Sequence, residues 1–135
     1  MELGTVYIHD SVFETLLAIS AEEQAKGLMK RDWPPPVMSF IYSKPSINKF
    51  WMKNTPSPLD ILFCHNGEIN QICKGESFST KMIGDDMLSD LIIELPYGTV
   101  KSSGIKLKHK VGLVKPTTEE LKRIIAEKYS GIIKN

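Results

Sequence analysis

A chain of 135 residues with 41% hydrophobic and 24% charged side chains can bury one core without staples, so a single soluble domain is expected. Its net charge of +1 argues against a nucleic-acid-binding surface, which takes a marked basic excess. No apolar run approaches the roughly 20 residues of a membrane-spanning helix.

Met1-Glu2-Leu3-Gly4 has neither a basic start nor an apolar signal core, so a cytoplasmic location is expected. Thr5 to His9 is β-branched or aromatic and reads as a first strand, with Asp10-Ser11 as a turn. Val12 to Ile19 reads as its hairpin partner. Ser20-Ala21-Glu22-Glu23 is a capping box for a short helix that Gly27 stops. Leu28-Met29 then tucks under the sheet, and Pro34-Pro35-Pro36 forces an extended conformation. Val37 to Tyr42 is a third strand, broken at Lys44-Pro45-Ser46.

Asn66-Gly67 is a two-residue hairpin signal joining Leu59–Phe63 to Glu68–Cys73. That register sets His65 against Glu68, Cys64 against Ile69, Leu62 against Gln71, Ile61 against Ile72 and Cys73 against Asp60. The two sulfurs then lie about 13 Å apart at strand rise. A disulfide tolerates a Cα separation of about 7 Å at most, so free thiols and a reducing compartment are expected.

Glu76 to Asp90 reads as a short surface helix, with Met82, Ile83, Met87 and Leu88 beneath it, or as a Met-containing flap. Leu91 to Leu95 is a strand stopped by Pro96-Tyr97-Gly98, and Ile105 to Val111 alternates like a half-exposed strand. Lys101, Lys106, Lys108, Lys110 and Lys115 then form its solvated face. Thr117-Thr118-Glu119-Glu120 is a second capping box, for a helix with Leu121, Ile124, Ile125 and Tyr129 on one side. The organisation expected is residues 1–116 as one β-rich domain and 117–135 as a helix packed on it. The fold class is α+β, mostly antiparallel: a partly open small barrel or curled sheet with two to three short helices.

No glycine-rich phosphate loop, serine elbow or paired-cysteine zinc motif occurs. His9, His65 and His109 lack metal-ligand spacing, so neither metal nor cofactor is expected; His65 instead caps its hairpin. The unusual residues are carboxylates set in apolar strands, Asp60 and Glu94, which need a partner or a raised pKa. Asp60 either fixes the Asn54-Thr55 turn through its backbone or joins Arg31 and Trp51 around a shared cleft. In the second arrangement Trp51 stacks on a ligand, Arg31 and Lys53 hold an anionic group, and Asn54 and Asp60 orient it.

Gly27-Leu28-Met29-Lys30-Arg31, Val37-Met38-Ser39-Phe40, Phe50 to Thr55, Pro58 to Phe63 and Ile93-Glu94-Leu95 resemble the signature blocks of one bacterial and archaeal family, domain of unknown function 192. The resemblance covers roughly residues 12 to 114. It implies no established activity, and many members of that family look exported. The chain departs from the family pattern at Val37 and at Lys108-His109-Lys110, where glycine and glycine-aspartate are usual.

The function expected is a binding module for a small polar ligand, a saccharide or an edge-added peptide. One alternative is a hydrolase using Asp60 and Glu94 as acid and base, which needs both carboxyls in one cavity. Another is an interaction subunit that uses the C-terminal helix. Nothing in the sequence specifies an oligomer.

Overall fold

A computed structural model describes residues 1–114. The predicted helix beyond Thr117 lies outside them. Seven strands, β1 (Glu2–Ile8), β2 (Ser11–Ala18), β3 (Met38–Ile47), β4 (Leu59–His65), β5 (Glu68–Gly75), β6 (Leu88–Pro96) and β7 (Val111–Val114), form one sheet. Its order is β5-β4-β6-β3-β2-β1-β7, and among the described residues only β2 and β3 run parallel. Among the described residues there are two short helices, α1 (Ala21–Lys26) and α2 (Thr99–Ser102). The architecture is a mostly antiparallel, curled half-barrel.

Curling brings the ends of the sheet together. Glu68, opening β5, bridges to Lys110, just before β7, and the Ile69 amide donates to the His109 carbonyl at 3.1 Å. Val6 and Ile8 of β1 thereby share one cluster with Leu62 and Cys64 of β4, although these strands lie four places apart in the order. Only the concave face can make that contact. Ile93, Leu95 and Ile105 complete this inner core.

The outer face of β2, β3, β4 and β6 carries a second core, with Ala18, Met38, Phe40, Ile61, Phe63 and Ile92. An outer face left bare would expose this apolar surface to water, so the chain covers it with Leu28 and Met52 from two connections. Glu23 accepts from the Ser20 amide and Ser20 Oγ from the Glu23 amide, so the capping box that opens α1 forms as expected. Gln24 Nε2 then donates to the Ala18 and Ile41 carbonyls at 3.1 and 2.9 Å, pinning α1 across β2 and β3.

Four local expectations are corrected. The β4–β5 register is as expected at His65–Glu68 and Cys64–Ile69, but beyond it Phe63 faces Gln71 and Ile61 faces Cys73. Asn70 is an extra residue at a bulge, which shifts every later pair by one. The third strand does not break at Pro45 but runs to Ile47. Its pairing with β6 skips from Ile41 to Ser46, so the proline falls where no amide is needed. Residues 76–87 form no helix: Phe50 and Ile83 exchange backbone hydrogen bonds there, and Asp85 accepts from the Met87 amide. The alternation at 105–111 is not a strand until Val111, because Lys108 takes φ 69 and the His109 amide turns back to the Lys106 carbonyl.

Candidate functional site

The chain from Phe50 to Pro58 is held on both sides by backbone hydrogen bonds. The Lys30 amide donates to the Asn54 carbonyl at 2.7 Å, the Met52 amide to Ser79 at 2.8 Å, and the Phe78 amide to Thr55 at 3.0 Å. Ser57 Oγ donates to the Arg31 carbonyl at 2.9 Å. So clamped, the stretch alternates. Phe50 and Met52 point toward the outer core, whereas Trp51 is 44% exposed, with Lys53 Nζ 5.1 Å from its ring centroid.

Between this stretch, α1 and β3 lies a partly open cavity of about 220 Å³. Phe40, Tyr42, Phe50 and Trp51 supply aromatic walls, Leu28 and Met52 aliphatic ones, and Glu94 of β6 reaches it from the sheet. Phe50 meets Phe40 edge-on at 4.7 Å between centroids and Phe63 at 6.1 Å. Exposed Lys26 and Lys49 line the solvent side, and Lys49 pairs with Asp86 at 3.2 Å.

Glu94 is 4% exposed, and among the described residues no hydrogen bond or ion pair reaches its carboxyl group. Burial alone pushes its pKa up to about 8, so at neutral pH it is largely protonated. Burial, and then the nearby Glu94 charge, pushes the Tyr42 phenol up to about 12.

Of Arg31, Trp51, Lys53, Asn54 and Asp60, Trp51 alone lines this cavity. Asn54 sits in a left-handed turn at φ 56, and its carbonyl is used by Lys30. Arg31 is exposed, and its backbone carbonyl holds Ser57. Lys53 stays over the Trp51 ring. Asp60 joins neither Arg31 nor the Asn54-Thr55 backbone. Its Oδ2 accepts from the Gly98 and Val100 amides at 3.0 and 2.9 Å, tying β4 to the start of α2. Glu94 was anticipated only as half of an acid–base pair; the signal that could have placed it here is a carboxylate inside Ile93-Glu94-Leu95 with no cation nearby in sequence.

His65 lies opposite Glu68 at the end of its hairpin, as expected. Its Nδ1 faces Asp90 at 3.4 Å, while Glu68 accepts from Lys110 at 2.6 Å. Among the described residues no group of three His, Cys, Asp or Glu side chains converges as metal ligands, and no helix is long and apolar enough to cross a membrane. A second, shallower groove lies between Trp33, Pro56, Pro58 and Tyr97.

The family model for DUF192, described as an uncharacterized ACR, matches residues 5–113. No curated protein matches the chain. Among solved structures, a protein of unknown function from Novosphingobium aromaticivorans is similar at 29% identity and a TM-score of 0.76, over 82% of this chain and 84% of that one. A putative transcription regulator from Sinorhizobium meliloti is similar at 27% identity and a TM-score of 0.77, over 82% of this chain and 93% of that one.

Proposed function

The chain belongs to the DUF192 family, described only as uncharacterized, and from that premise we propose that it is a binding domain for a small molecule taken into the outer-face cavity. The observation that carries this reading is Glu94. A carboxyl group so deeply buried, without a protein partner, costs stability unless something else satisfies it. Carboxyl groups shifted this far and facing a cleft cluster at functional sites. The size agrees, since an apolar cavity of roughly 150 Å³ already takes benzene. Trp51 keeps its anticipated role as a stacking wall, while Glu94 takes the orienting part anticipated for Asn54 and Asp60.

A thermal-shift panel of sugars, nucleotides, carboxylic acids, amines and short peptides tests the reading. Ligand at a hundred times its dissociation constant stabilises by about 2.7 kcal/mol, a shift of several degrees for a domain of this size. Ala25→Trp on the exposed side of α1 places an indole in the cavity and removes the shift. A panel without hits, or hits that survive in Ala25→Trp, would overturn it.

A further inference from the structure

Resting on that reading, we infer that the ligand is a small monoamine: a protonated amino group seated against Glu94, with an apolar body along Phe40, Phe50 and Met52. The carboxyl and amino groups of the cavity are sorted by depth. Its buried end holds one carboxyl group and its exposed end two lysines. An anionic head at the buried end would face a carboxyl group that cannot then ionise. A neutral apolar ligand would leave that group unpaired. An ammonium ion supplies both charge and hydrogen bonds, and an aromatic lining of Tyr42 and Phe50 suits a desolvated cation.

The lysines narrow the class. Lys26 has no ion-pair partner among the described residues, so the outer end carries positive charge. A second ammonium at the far end of a diamine meets that charge and is rejected. A single amine with an apolar tail is not. Among the described residues Tyr42, Lys26 and Lys49 are the other titratable groups lining the cavity, and no second carboxylate does so.

Calorimetric titration of the whole chain with phenethylamine, phenylpropanol, phenylpropanoate and cadaverine decides the matter. The expected order places phenethylamine first, at least tenfold above each of the others. Glu94→Gln lowers the phenethylamine affinity at least tenfold and leaves phenylpropanol nearly unchanged. Because the cation binds the ionised carboxylate, the wild-type affinity should rise about tenfold per pH unit up to about pH 8, and should be flat in Glu94→Gln. Phenylpropanol or phenylpropanoate binding as well as the amine, or an unaffected Glu94→Gln, overturns the inference while leaving a cavity that binds ligand. Failure of all four probes overturns it too, and the broader panel then shows whether the binding-domain reading falls with it.

Discussion

Asp60 and Glu94 stand one step out of register on adjoining strands: Ile61 is the residue paired with Glu94, and Asp60 is paired with Leu95. Neighbours across a ladder share a face and successive residues alternate, so the two carboxyls project from opposite sides of the sheet. Asp60 belongs to the concave side and Glu94 to the outer side. They cannot flank one substrate, and the acid–base pair required of a hydrolase built on them does not form.

Asp60 is therefore expected to matter for stability. Asp60→Ala strands two amides, Gly98 and Val100, that now share Oδ2. The loss should be about 2–4 kcal/mol in chemical denaturation, with Asp60→Asn milder because its carbonyl oxygen can still accept. An Asp60→Ala variant as stable as the wild type would contradict this role.

Glu94 predicts a pH dependence of opposite sense to most carboxylates. Its folded pKa of about 8 exceeds the ordinary 4.5, so between those values the folded chain keeps a proton that the unfolded chain has released. Stability should be greatest below that window and fall across it as pH rises, by on the order of a few kcal/mol. Glu94→Gln should flatten the profile and exceed the wild type at pH 8. Equal slopes in the two proteins, measured by urea midpoints from pH 5 to pH 8, would rule it out.

Adjacent positions in the clamped stretch should separate binding from folding. Met52→Ala removes a side chain that is 1% exposed and should cost about 2–5 kcal/mol. Trp51→Ala, on the outward side, should cost under about 1 kcal/mol yet weaken ligand binding. If Trp51→Ala destabilised as much as Met52→Ala, the indole would be a core group.

The cysteines should be unpaired and slow to react. Both are free, and burial raises both thiols, with Cys64 the more deeply buried. Electrophoretic mobility should be the same with and without reductant. A thiol reagent at pH 8 should label Cys73 first and Cys64 only on unfolding. Rapid labelling of Cys64 in the native protein would mean its strand opens readily.

Much of this architecture is legible in short-range chemistry. Ser20 with Glu23, Asn66 with Gly67, and the apolar run at Leu91–Leu95 each state a local structure that no tertiary contact overrides. The failures share a cause. At Asn70 a bulge, at Pro45 a gap in pairing and at Lys108 a left-handed turn are set by the curling of the sheet, and a curl is a relation among distant strands. Glu94 was visible as an anomaly, but its face depends on its pairing with Ile61, and its cavity depends on where α1 lands. Asp60 carried the same anomaly, and the Gly98 and Val100 amides that satisfy it lie 38 and 40 residues away.

The parallel pairing of β2 with β3 ties the cavity wall to the fold. Joining β2 to β3 in parallel obliges the chain to cross over, and residues 19–36 make that crossing outside the sheet. They bring Gln24, Lys26, Leu28 and Met29 to the cavity but contribute no strand to the ladder. The crossing also seals the fold, since Leu28 is 2% exposed in the outer core and the Lys30 amide and Arg31 carbonyl hold Asn54 and Ser57. One segment therefore both walls the cavity and roofs the sheet, so reshaping the first from this side disturbs the second.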